Sequence, residues 1–469
     1  MAFSSIPFLF VFLPVFLLLY LILPRTWPRN FFLFLGSIIF YAWVDAENVW
    51  LVFALIAVNY GFGILSKNKS KLGRWHRIFF YLALALNLAP LLYFKYAAFF
   101  IKTLNSLFQA TLSIPEHSLP IGLSFITFCC LAYVLDVDKG TEKPESNLLA
   151  FANYVAFFPK LTQGPIARFN ALKADLHDRT LEISRISKGI KRFIAGFAKK
   201  VLLADTVAAV ADLVFNINPE YIGAGIAWYG LIGYSLQIYF DFSGYTDMAL
   251  GLAQIIGFNL PENFNYPYIS KNITDFWRRW HMTLTAWFRT YVFIPLEYKR
   301  RYAKFLRQPT NILIVFMLTG FWHAAGWNFI LWGAYFGLIL SLESLGLGRL
   351  LKKMPSFLQH AYTLLVVFIG WIFFRLTDMG EWVGFFKTLL GANGLTGIYT
   401  ARSLNILAYW PVYVAAILLC LPFAERVSAK MSESRIWQAA EIVFYFALFF
   451  FSTSLLLSRG YQSFLYAQF

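Results

Sequence analysis

Apolar residues in this chain run in blocks of roughly 15 to 22 with few or no charges, the length a helix needs to cross hydrocarbon. The first block is Ile6 to Leu23, and others follow at Phe31–Val44, Trp50–Leu65, Ile78–Tyr93 and Leu119–Leu135. Later blocks lie at Val201–Phe215, Ile222–Phe240, Met248–Phe258, Ile312–Phe321, Phe329–Leu347, Tyr362–Phe374, Val412–Phe423 and Ile442–Leu457. None alternates with period 2, so the pattern predicts helices rather than a membrane barrel. The first block follows no basic residue and ends in Pro24-Arg25 without a small-residue cleavage pattern, so it is expected to stay as a helix. Phe151 to Pro159 is apolar but too short to span and runs into Gln163-Gly164-Pro165, which predicts a re-entrant or interfacial segment. In Asp275 to Tyr291, Phe276, Trp277, Trp280, Leu284, Trp287 and Tyr291 recur at spacings of three and four, with Arg278, Arg279 and Arg289 off the stripe. That spacing predicts an amphipathic helix at the membrane surface.

Composition agrees with lipid as the main solvent. Hydrophobic residues make up 59% of the 469 and charged ones 14%, against about 25% charged in soluble domains. The expectation is an all-α, polytopic bundle of transmembrane helices. No repeat of fixed period and no long Pro, Gly or Ser-rich linker divides it, so residues 1–469 read as one membrane-embedded domain. The net charge of +16 comes from Lys and Arg gathered between apolar blocks, where they act as topology signals, so nucleic-acid binding is not expected. Arg25 and Arg29 follow the first block, Asp45 and Glu47 the second, and Lys67, Lys69, Lys71, Arg74 and Arg77 the third. Under the positive-inside rule this places the amino terminus outside the cytoplasm. Lys299-Arg300-Arg301, with Lys304 and Arg307, is expected to face anionic headgroups on the cytoplasmic side.

Two polar segments interrupt the apolar pattern. In Gln237-Ile-Tyr-Phe-Asp241-Phe-Ser243-Gly244-Tyr-Thr-Asp247, helical spacing puts Gln237 with Asp241 and Ser243 with Asp247 at i, i+4, so each pair could share hydrogen bonds. Those groups read either as a functional cluster or as interhelical glue with a helix break at Gly244. In Thr319-Gly-Phe-Trp322-His323-Ala-Ala-Gly326, a histidine ends an apolar block, with small residues after it that would let a substrate chain come close. A neutral imidazole there could accept a hydroxyl proton, or be a satisfied core histidine. His281 is equally open, as a polar ring that sits at headgroup level or takes part in chemistry. His76, His117, His177 and His360 are expected at the surface. Cys129, Cys130 and Cys420 show no CxxC pair or metal-ligand spacing, so no disulfide framework is expected. No HExxH, Walker loop, GxGxxG or GxSxG is present, which leaves metal, nucleotide and serine-hydrolase readings without support.

Over nearly its whole length the sequence resembles the membrane-bound O-acyltransferase family, most closely the bacterial branch that includes alginate O-acetyltransferase. The resemblance rests on Met1-Ala-Phe-Ser-Ser5, Leu119-Pro-Ile-Gly-Leu-Ser-Phe125, Phe158-Pro-Lys-Leu-Thr-Gln-Gly-Pro-Ile166, Tyr239-Phe-Asp-Phe-Ser-Gly-Tyr245, Glu262-Asn-Phe264, Pro267-Tyr-Ile-Ser270, Phe276-Trp-Arg-Arg-Trp-His281, Trp322-His323 and Phe373-Phe-Arg375. It implies a helical bundle with a central funnel or tunnel in which an acyl donor meets a hydroxyl acceptor. It also implies that His323 is the catalytic histidine and His281 a second polar position, with Asn263, Asp241, Ser243 and Trp322 as candidates to bind or orient substrate. The donor it implies is acetyl-CoA or another acyl thioester, as co-substrate, with no bound cofactor or metal. The setting would be a bacterial inner membrane, and the acceptor stays open among alginate, another exopolysaccharide, cellulose and peptidoglycan. This branch commonly has Gly after the catalytic histidine. Here that residue is Ala324, whose methyl could narrow the tunnel. A transporter and a scaffold of a polysaccharide export complex are the rival readings. No stretch long enough for a soluble domain is visible, so the acyl group is expected to pass to an extracytoplasmic, hydrolase-like O-acetyltransferase that works with the export machinery.

Overall fold

In a computed structural model, which describes residues 2–300, 305–423, 430–431 and 434–465, every regular element is a helix and the only β pairing is two isolated bridges at Ile222. Arg301 and Lys304 of the basic run, and Met1 of the amino-terminal motif, lie outside the described residues. Among the described residues, five helices are long and apolar enough to cross a membrane: Val49–Ser66, Arg74–Phe108, Trp327–Leu351, Ser356–Arg375 and Arg435–Arg459. Phe8–Ile22 and Ile406–Leu419 are shorter apolar helices. The chain packs as two units, Met1–Phe193 with Tyr245–Glu262, and Ile194–Gly244 with Asn263–Phe469.

The first unit is held by polar groups that would be costly in lipid unless paired. Asn59 and Asn87 exchange amide hydrogen bonds at 2.9 Å in both directions, joining helices Val49–Ser66 and Arg74–Leu91. Arg168 forks onto both oxygens of Asp136, and Arg192 binds Asp247 at 3.0 Å and Glu262. The short apolar segment after residue 147 forms helix Leu148–Ala156, an extended Phe157 and one turn, Phe158–Leu161, nearly all of it buried in protein. Non-spanning backbone at membrane depth is tolerated where protein covers it. Cys129 and Cys130 are buried and free, as two small apolar residues would be. The surface expectation for His76 fails. The ring is buried, and its Nε2 lies 2.9 Å from Asp138. His177 pairs with Glu145 at 2.8 Å, and the Tyr93 hydroxyl meets His117 at 2.7 Å.

Ile222–Phe240 and Met248–Phe258 are not separate helices. Ala224–Ile255 is one 32-residue helix that runs through Gly244 without a break. Gly244 serves close approach instead, because a Cβ there would lie 2.8 Å from the Gly196 carbonyl oxygen. In the second unit, helices Arg307–His323 and Trp327–Leu342 form a tight hairpin across glycines. A Cβ on Gly320 would lie 2.1 Å from the Phe329 carbonyl, and one on Gly333 2.3 Å from that of Phe316. The expected amphipathic helix over 275–291 is broken into Ile273–Arg279, Met282–Phe288 and the wide turn Arg289–Phe293. Its aromatic stripe is buried in the protein core rather than laid on a membrane surface, because Phe276, Trp277 and Trp280 pack against Trp332, Phe336 and Trp371.

Candidate active site

His323 is the last residue of helix Arg307–His323, and the chain leaves it through an extended Ala324 at φ −154°, ψ 157°. Any residue adopts that conformation, so the methyl group of Ala324 strains nothing, and it packs against the core. The imidazole is 6% exposed. Trp332 meets it edge to face at 5.2 Å and 87°, Phe374 at 5.4 Å and 78°, and Trp322 at 5.0 Å. The glycine hairpin makes this possible, because it brings Trp332 of the second helix beside the end of the first. His323 thus sits at a helix carboxyl end with water largely excluded.

His281 lies between two short helices, where the chain turns through a left-handed backbone at φ 45° and ψ 52°. It is buried, and burial in apolar surroundings pushes its pKa down to about 3, so the ring is neutral. Its Nδ1 lies 3.1 Å from Asn263 Oδ1, which also accepts from the Thr283 N–H at 3.2 Å and the Thr283 hydroxyl at 2.8 Å. The Met282 N–H donates to the Asn263 carbonyl at 2.9 Å. Nε2 of His281 and Nδ2 of Asn263 are buried with no hydrogen-bond partner. Phe242 stands edge to face on His281 at 4.8 Å, and Trp322 lies between the two histidines, 6.3 Å from His281 and 5.0 Å from His323.

The fold therefore gathers His323, Trp322, His281 and Asn263. Asp241 stands elsewhere in the unit, where its Oδ1 accepts from Lys200 Nζ at 2.8 Å and its Oδ2 from the Leu465 N–H at 2.8 Å. Lys200 also binds Asp205 at 2.7 Å and the Ser463 carbonyl at 3.1 Å, so this buried ionic cluster ties down the chain near its carboxyl end. The expected i, i+4 pairing is absent, since Ser243 Oγ and Gln237 Oε1 have no partner while Asp241 and Asp247 are taken up by Lys200 and Arg192. Sequence reasoning missed Trp332, Phe374, Thr283 and Lys200. Trp332 and Phe374 are indistinguishable from other aromatics in apolar blocks. Thr283, two residues after a candidate histidine, was the one detectable signal.

The same unit holds a cavity of about 760 Å³. Trp277, Phe316, Thr319 and Leu340 supply apolar and hydroxyl lining, and Arg278, Arg289, Arg349 and Lys352 supply four cations. Thr319 is one helical turn before His323, and Trp277 packs on Trp332 at 5.5 Å, so two rings, Trp277 and then Trp332, stand between this cavity and the His323 ring. Glu343, also in the lining, caps the helix that carries Arg278, accepting from the N–H groups of Ile273 and Thr274 at 2.8 and 2.9 Å. Among the described residues no group of His, Cys, Asp and Glu is arranged to hold a metal ion.

Comparison with known proteins gives this arrangement a family. The model of the membrane-bound O-acyltransferase family matches residues 47–378, a span that holds both histidines, Asn263 and every lining residue of the cavity. A Pseudomonas aeruginosa protein named probable alginate O-acetylase AlgI is 40% identical over 385 residues, which cover 81% of this chain and 73% of that one. The Azotobacter vinelandii protein of the same name is 37% identical, over 89% of this chain and 83% of its own. A Helicobacter pylori peptidoglycan O-acetyltransferase is 33% identical, over 84% of this chain and 80% of its own. The chain belongs to the membrane-bound O-acyltransferase family, and it is an O-acyltransferase of the membrane.

Proposed function

We propose that this chain, acting as one membrane-embedded domain, moves an acetyl group from a cytoplasmic thioester, acetyl-CoA, towards the hydroxyl groups of an extracytoplasmic polysaccharide, with His323 as general base. The observation that carries the reading is the place of His323: at a helix carboxyl end, in an aromatic cage, two rings from a cavity with four cationic residues. Phosphates suit guanidinium and ammonium groups, and an apolar interior suits the thin acyl-bearing arm of such a donor. His323 takes the proton of the acceptor hydroxyl as its oxygen attacks the thioester carbonyl. The carbon–sulfur bond then breaks, and the proton held by His323 returns to the leaving thiolate. General-base assistance of this kind contributes about 10²–10⁴ in rate.

The names of the relatives support the acceptor class, since they include alginate O-acetylases and a peptidoglycan O-acetyltransferase. The setting on this reading is a bacterial inner membrane with the amino terminus outside, and an extracytoplasmic hydrolase-like partner receives the acetyl group before the polymer does. His323→Ala, at normal membrane abundance, is expected to abolish O-acetylation of the polymer in cells. Unchanged acetyl content in that strain would leave the scaffold or transporter reading in its place.

A further inference from the structure

The amide of Asn263 has a fixed orientation. A backbone N–H can only donate, and the Thr283 N–H points at one terminal atom of Asn263 from 3.2 Å, so that atom is the oxygen. The Thr283 hydroxyl donates to the same atom at 2.8 Å. Nδ1 of His281, 3.1 Å from that oxygen, must then carry the hydrogen. A neutral imidazole holds only one hydrogen, so Nε2 is left as a bare lone pair, and in this structure it is buried with nothing donating to it. An unsatisfied buried acceptor is costly, and sites that keep one commonly fill it with a ligand.

We propose that Asn263, held by Thr283, is a positioning residue that locks His281 in the Nδ1–H tautomer, and that His281 offers Nε2 as a standing hydrogen-bond acceptor to an O–H or N–H of the bound substrates without taking a proton. The inference rests on the acyl-transfer reading and divides labour within it. On that reading His323 takes the proton. His281 has no carboxylate on its Nδ1 side, only a neutral amide, and Phe242 stands edge to face against it at 4.8 Å. Burial without a compensating negative charge disfavours an imidazolium there. The O–H would belong to the acceptor hydroxyl that the acetyl group meets first and the N–H to the amide-bearing arm of the thioester.

The test compares kcat and KM for acetyl-CoA and for acceptor between pH 5.5 and 9, in monodisperse purified protein carrying Asn263→Ala, Asn263→Asp, His281→Ala or His281→Gln. Asn263→Ala should lower kcat/KM about tenfold or more at every pH, as loss of the lock frees the ring. Asn263→Asp keeps the acceptor oxygen but adds a negative charge that favours an imidazolium. Its activity should therefore approach wild type at high pH and fall along a new acid limb below about pH 7, as Nε2 gains a proton. His281→Gln, whose amide oxygen can accept, should retain more activity than His281→Ala and show the wild-type pH profile. Whichever KM rises in His281→Ala names the substrate that donates. The lock is overturned if Asn263→Asp shows no acid limb, or if His281→Gln is as inactive as His281→Ala. His323→Ala run beside them keeps the two ideas apart, because its loss of activity with no acid limb in Asn263→Asp removes the lock and leaves the base. An active His323→Ala with the acid limb present removes the base and leaves the lock.

Discussion

At the scale of single residues, two buried histidines stand in different surroundings. His323 ends a helix inside a cage of aromatic rings, while His281 is held against Asn263 and Phe242 with its pKa pushed down to about 3 by burial. That depression has a consequence for stability. Between about pH 6.5, the ordinary value, and the folded value, the unfolded chain binds a proton that the folded chain refuses, so stability falls as pH drops through this window. Each pH unit below about 6.5 can cost up to about 1.4 kcal/mol from this one group. The thermal midpoint of detergent-solubilised wild type should therefore fall more steeply from pH 7 to pH 5 than that of His281→Gln, and parallel curves would refute a neutral buried His281. Both histidines were visible in the sequence as polar residues in apolar or aromatic company. Asn263 was named through the resemblance but could not be tied to His281, because the separation of 18 positions between them carries no period that would bring them together. Likewise Asp241, prominent among apolar neighbours, belongs to an ionic cluster whose lysine lies 41 residues away.

Among the elements, periodicity identified helices well and their breaks poorly. Val49–Ser66, Ser356–Arg375 and Arg435–Arg459 lie where the apolar blocks place them, since the length and composition of a spanning helix are local properties. The aromatic stripe from Phe276 to Tyr291 satisfies helical spacing too, yet the chain turns at His281 through a left-handed conformation that no spacing encodes. With the turn, the stripe becomes a core in which Trp277 and Trp280 face other helices. Glycine was misread for a related reason. Gly244 looked like a break, whereas it lets two helices touch. The Gly320–Gly333 contact does the same for the hairpin that carries His323 and Trp332, so its packing should be intolerant of bulk. Gly333→Leu is expected to cost about 1–3 kcal/mol or more through overpacking, to lower the thermal midpoint and to reduce acyl transfer. Gly61→Ala is the comparison, because a Cβ there meets nothing within 4 Å and alanine favours helix by about 1 kcal/mol. A Gly333→Leu protein as stable as Gly61→Ala would show that the close approach of the hairpin is not required.

For the whole molecule, two rings join a cationic cavity to the buried His323. Trp277 stands in the cavity lining and against Trp332, and Trp332 stands against His323. The excess of Lys and Arg between apolar blocks, which in a soluble protein would suggest nucleic acid, here predicts which loops stay with the cytoplasm and hence on which side a CoA thioester would be met. The sidedness is an expectation from charge and the thioester one from the resemblance, whereas the nearness of His323 to the cavity depends on residues distant in sequence. The most direct measurement uses sealed proteoliposomes of one orientation, with labelled acetyl-CoA confined to the face bearing the Lys67–Arg77 loop, and follows release of free CoA in the presence of an acceptor hydroxyl on the opposite face. Wild-type protein should release CoA from that face alone, and His323→Gln should do so at least about a hundredfold more slowly. Equal rates for the two proteins, or release only when acetyl-CoA is placed on the opposite face, would contradict the account.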